Sequence, residues 1–127
     1  MAYKEYNINP KNKKTGDCAI RAVAAVTGLG WDRAYEDLCK SGFKLKTAPN
    51  DVEAIEDFLL SIGFKIGKIR VIKGQKRITV KEFTEQNPNI CAVLRVANHF
   101  TCCAYGNYLG IWDCGNHVVY KYWYKQI

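Results

Sequence analysis

The sequence predicts an α+β fold with segregated layers, and a change of pattern near the middle of its 127 residues carries that expectation. Up to Gly63 the apolar residues recur at helical spacing. From Phe64 onward, β-branched and aromatic runs alternate with Lys and Arg and are broken by Gly-Gln and Gly-Asn pairs. The length fits one domain over 1–127, and 48% apolar against 24% charged residues is the balance of a packed domain, which excludes a disordered tail. No run approaches the roughly 20 apolar residues that cross a bilayer, and Met1–Tyr6 lacks the apolar core of a secretory signal. A cytoplasmic protein with no membrane partner is expected.

Residues 1–16 read as an irregular basic arm, because Pro10 and Lys11-Asn12-Lys13-Lys14-Thr15-Gly16 have turn composition and no period. A first helix begins at Asp17 or Cys18, with Ala19, Ala22, Val23 and Val26 on one face and Gly28 past its end. A second runs from Trp31 or Asp32 to Lys40, with Gly42 as its stop. A third opens on the capping box Asn50-x-x-Glu53, buries Val52, Ile55, Phe58, Leu59 and Ile62, and closes at Gly63.

Phe64–Lys73 reads as a half-exposed strand ending in a Gly74-Gln75 turn, and Thr79-x-x-Glu82 caps a short helix that stops before Pro88. Ile90–Val96 is nearly continuous apolar sequence, as in a strand buried on both faces. His99–Tyr105, Leu109–Cys114 and His117–Tyr124 then read as an antiparallel meander joined by Gly106-Asn107 and Gly115-Asn116.

The six cysteines hold no C-x-x-C pair, and four lie in periodic apolar segments where free Cys packs as a small hydrophobe, so no disulfide framework is expected in a reducing compartment. Cys18 differs from the rest. It stands at the first turn of a helix, after Thr15-Gly16-Asp17, where unpaired N–H groups and the helix dipole stabilise the nucleophilic thiolate. A second reading makes it a small residue packed under the helix. His99, in the polar break Asn98-His99-Phe100, is placed to take a thiol proton, and Asp113 is the candidate to orient its ring; a solvated surface acid is the alternative for Asp113.

Gly16-Asp17-Cys18-Ala19-Ile20-Arg21-Ala22, then Asn98-His99-Phe100, then Gly106 to Asp113 resembles a papain-like cysteine peptidase over nearly the whole chain. The similarity is to the small bacterial and phage-type members, including peptidases that process bacteriocin leaders. The nucleophile loop also resembles that of ovarian-tumour-type deubiquitinases. The resemblance implies N-terminal helices, the first carrying the nucleophile at its start, packed on a C-terminal antiparallel sheet. It implies a Cys18-His99-Asp113 triad acting on a peptide or isopeptide bond through a thioester, without cofactor. Asn12, six residues before the nucleophile where Gln is commoner, would join the Cys18 N–H in the oxyanion hole, with Thr15 as fallback donor.

The triad carries a geometric condition. His99 and Asp113 are fourteen residues apart, so a two-residue turn with continuous pairing sends them to opposite faces, whereas a three-residue loop or a bulge restores a shared face. An odd loop such as Gly106-Asn107-Tyr108, or a bulge, is expected.

Two rival chemistries are present in the sequence. His99-x-x-Cys102 and Cys114-x-x-His117 offer zinc-type ligands, but three-residue spacing on a strand points them apart, and no metal is expected. The formal charge of +7 includes Lys65, Lys68, Arg70, Lys73, Lys76, Arg77 and Lys81 within seventeen residues. Such a face suits a non-catalytic module that binds an acidic protein or nucleic acid, or steers an acidic peptide substrate to the enzyme. No nucleic-acid-binding motif accompanies it, so nucleic acid is not the expected partner.

Overall fold

The computed structural model describes residues 3–127, an α+β fold of four helices and one six-stranded mixed sheet. The elements in chain order are β1 (Tyr3–Glu5), α1 (Cys18–Thr27), α2 (Trp31–Leu45), α3 (Val52–Ser61), β2 (Lys65–Lys68), α4 (Val80–Gln86), β3 (Ile90–Val96), β4 (His99–Ala104), β5 (Asn107–Gly110) and β6 (Lys121–Gln126). The sheet order is β1-β5-β4-β3-β6-β2, antiparallel throughout except for the β1–β5 pair.

The sheet separates two cores. On one face α1, α2 and α3 bury Ala22, Val23, Leu38, Ile55 and Leu59 against Val93, Cys102 and Trp123. On the other, Val80 and Phe83 of α4 pack with Ala92, Leu94, Val96, Cys103 and Tyr108. Side chains alternate across a strand, so the central β3 is apolar in both directions. Trp123 is fully buried, yet its indole N–H donates to Glu56 Oε1 (3.0 Å), which also pairs with Lys121 Nζ at 2.7 Å.

Several elements differ from their sequence reading. Tyr3–Glu5 is not part of an irregular arm: it pairs in parallel with Tyr108–Gly110 at the sheet edge. The second helix runs through Gly42 to Leu45 and closes at Lys46 in the left-handed region (φ 59°). Gly42 is there for packing, since a Cβ would lie 2.7 Å from the Thr47 carbonyl oxygen. The third helix is capped by Asp51, which accepts from the Val52 N–H, rather than by Asn50. The strand after Gly63 spans only Lys65–Lys68.

The meander is also corrected. Chain 111–120 leaves the sheet beyond Gly110 apart from a single bridge between Val118 and Thr79, and β6 crosses to the open edge of β3, between β3 and β2. The capping box at Thr79 and Glu82 forms as read: the Glu82 N–H donates to Thr79 Oγ1 and the Thr79 N–H to Glu82 Oε1.

Candidate active site

Cys18 is the first residue of α1. The first helical bond at this end runs from the Arg21 N–H to the Asp17 carbonyl (2.9 Å), so the Cys18 N–H precedes the bonded ladder, as an oxyanion donor must. His99 is the first residue of β4, just after Asn98 turns the chain with φ 53°. Cys18 and His99 together line a cleft of about 250 Å³ between the heads of α1 and α3 and the β3–β4 turn. They also line a tight space behind it, about 10 Å³, closed by Tyr6, Ile8 and Arg21. A larger cleft, about 600 Å³, lies on the far side of Thr15-Gly16-Asp17, against Trp31 and Tyr35, and includes neither Cys18 nor His99.

The imidazole of His99 packs on the Trp112 ring, with centroids 4.7 Å apart, and Trp112 in turn meets His117 at 5.2 Å. Burial, reinforced by the positive charge of Arg21 and by His117, pushes His99 down to about 4. At neutral pH its ring is therefore neutral, and the same surroundings make it a weaker base than an exposed imidazole. Burial acts in the opposite sense on thiols: Cys102 and Cys103 are pushed up to about 12, and Cys91 and Cys114 are raised. Those four are held away from the thiolate form.

Asp17, beside Cys18, is buried and saturated. Its Oδ1 accepts from Arg21 Nε (2.8 Å), and its Oδ2 from Asn9 Nδ2 (3.0 Å) and Trp31 Nε1 (2.9 Å). Burial opposes its ionisation, but these three hydrogen bonds and the Arg21 charge outweigh it and hold the carboxyl below its ordinary value. The set ties the arm, α1 and α2 together at the base of the turn that leads into Cys18.

Two expected site residues lie elsewhere. The β4–β5 turn is a two-residue one, Tyr105-Gly106, both left-handed (φ 53° and 77°), with Ala104 opposite Asn107. The odd loop is thus absent, and the β4–β5 pairing runs without a bulge from Ala104 and Asn107 to Cys102 and Leu109, where it ends, so no shared face is restored. Asp113 is exposed, and its Oδ1 accepts from the Tyr108 hydroxyl at 2.7 Å and from the Gly115 N–H at 2.9 Å, at the rim of the core on the α4 side of the sheet to which Tyr108 belongs. Among the described residues no hydrogen bond or ion pair joins it to His99, which corrects the orienting role read for it. Asn12 is exposed, adopts φ 52°, and lines a separate hollow with Glu5 and Tyr6, so it does not reach the Cys18 cleft.

The cleft contains groups the sequence reading passed over: Arg95, Asn98 and Asn50. Arg95 is the sole charged residue within Ile90–Val96, and Asn98 belongs to the same polar break as His99. Among the described residues, no three His, Cys, Asp or Glu side chains are gathered as a metal ion would need. Comparison with protein-family models, curated proteins and solved structures finds no match to this chain.

Proposed function

We propose that the chain is a cysteine-nucleophile hydrolase of papain-like type, a peptidase or isopeptidase, with Cys18 as nucleophile and His99 as its base. The observation that carries this reading is that the first residue of α1 and the first residue of β4 wall one open cleft. In the reaction, His99 takes the Cys18 thiol proton as sulfur adds to the substrate carbonyl carbon, and the Cys18 N–H meets the oxyanion. His99 returns that proton to the departing amine as the C–N bond breaks, leaving a thioester. Water, deprotonated by His99, then hydrolyses the thioester and releases the carboxylic acid and the thiol.

With Asp113 held by Tyr108, the base works as half of a dyad, and among the described residues no carboxylate is hydrogen-bonded or ion-paired to His99. The same observation favours a second reading, a non-catalytic module on this scaffold. For that module the seven cations from Lys65 to Lys81, none of them in an ion pair among the described residues, would supply the surface for an acidic protein or nucleic acid.

Alkylation by iodoacetamide near neutral pH, with all six cysteines followed by mass spectrometry, separates the two. The hydrolase reading expects Cys18 to be modified first and His99→Ala to slow it by about 10-fold or more. Cys18 reacting no faster than the half-buried Cys39, unaffected by that change, would leave the binding module.

A further inference from the structure

The cleft that holds Cys18 also holds a guanidinium that forms no ion pair among the described residues. Arg95 is exposed on the central strand β3, lines the cleft with Cys18 and His99, and makes no ion pair or side-chain hydrogen bond among the described residues. The one carboxylate on the cleft wall, Asp51, is already engaged: Oδ1 accepts from the Val52 N–H and Oδ2 from the Thr47 hydroxyl.

Two further features give this space a positive bias. The ten-residue helices α1 and α3 both begin on it, at Cys18 and Val52; α1 directs the positive end of its dipole there, while that of α3 is offset by Asp51 at its cap and Glu53 in its first turn. The first turn of α1 carries no acidic side chain to offset its end. The amides of Asn50 and Asn98 add neutral donors on either side.

We propose that this cleft is a carboxylate subsite, in which Arg95 grips an acidic group of the substrate next to the carbonyl that Cys18 attacks. The inference rests on the hydrolase reading and names its substrate class. Planar, bidentate pairing is what guanidinium offers a carboxylate and an ammonium does not. A volume of about 250 Å³ suits one residue rather than a folded partner. The carboxylate comes from an Asp or Glu side chain or from the end of a chain, and the same pairing serves both.

Three alkylating probes separate these sources while reading Arg95 directly: bromoacetyl-glycinamide as the neutral reference, bromoacetyl-aspartamide for a side-chain carboxylate, and bromoacetyl-glycine for a terminal one. The rate at Cys18 relative to the reference should be about 3- to 10-fold higher for one of the anionic probes. Arg95→Gln should abolish that preference, Arg95→Lys should retain part of it, and Lys40→Gln, exposed on α2 and outside the cleft, should leave it intact. A ratio that is no higher for either acid, or that survives in Arg95→Gln, would overturn the subsite. Failure of the hydrolase reading appears differently, as slow alkylation of Cys18 by all three probes, because the ratio is set by Arg95 whatever the absolute rate.

Discussion

Asp17 and Cys18 are consecutive residues at the head of α1, yet the surroundings they face are opposites. On the Asp17 side every polar group is satisfied: a carboxylate only 3% exposed meets an arginine only 7% exposed, an indole and an amide. On the Cys18 side the described residues leave more polar groups open: a neutral imidazole with no carboxylate bonded to it, a guanidinium in no ion pair, and an N–H that precedes the helical ladder. A buried network fixes the turn so that the adjacent cleft can hold groups with unspent hydrogen-bonding capacity. The satisfied and the open sides are thus divided across one peptide bond.

The largest break in this contrast should come from the satisfied side. Arg21→Met leaves the Asp17 charge buried with only neutral donors, and should cost about 3–5 kcal/mol, lowering the melting temperature by roughly 10 °C. Cys18→Ser, one residue along, should stay within about 0.5 kcal/mol of the parent in urea unfolding. Equal losses from the two changes would remove the distinction between a structural and an open side.

A smaller effect is expected with pH. The unfolded chain protonates His99 near its ordinary value of 6.5, whereas the folded chain resists until about 4, so the unfolded state binds the extra proton across that window. Stability is therefore fully present above pH 6.5 and declines as pH falls toward 4. Thermal melts over this range should show a fall of roughly 3 °C that His99→Gln flattens, the size being limited by partial solvent screening. The contribution of Asp17 follows the carboxylate rule: present above its ordinary 3.8 and lost only below it, outside the histidine window.

The smallest effect sharpens the placement of Asp113. Asp113→Asn should cost about 1 kcal/mol through the weakened Tyr108 and Gly115 bonds, while Cys18 alkylation changes by less than about 2-fold. A tenfold slowing at Cys18 with unchanged stability would restore the triad.

What the sequence showed and what it hid follow the range of the interactions involved. The start of α1, its left-handed close at Gly28 (φ 71°), the Thr79–Glu82 box and the doubly buried Ile90–Val96 are all fixed by near neighbours, and each was legible. Gly42 was misread as a stop because the Thr47 carbonyl that requires its missing Cβ belongs to a turn visible only in three dimensions. The partner of β6 was misread because an open edge on β3 competed with the neighbouring strand. At the site, Cys18 and His99 were marked by their positions at element starts. Asp113 was misassigned because nothing local reveals that Tyr108 claims it, and the place of Arg95 in the cleft depends on the meeting of β3 with the heads of α1 and α3.

The parallel pairing of β1 with β5 bears on the order of assembly. The Tyr3 hydroxyl donates to the Gly110 carbonyl across 107 residues of sequence, so β1 gains its partner only once the β4–β5 hairpin exists. Closing so long a loop is entropically costly and slow compared with forming the helices that follow it. Tyr6 and Ile8, which wall the space behind Cys18 and His99, are drawn in along with that strand. The strand β1 is thus among the last elements to settle, and Cys18 acquires its inner wall only when β4 and β5 have folded.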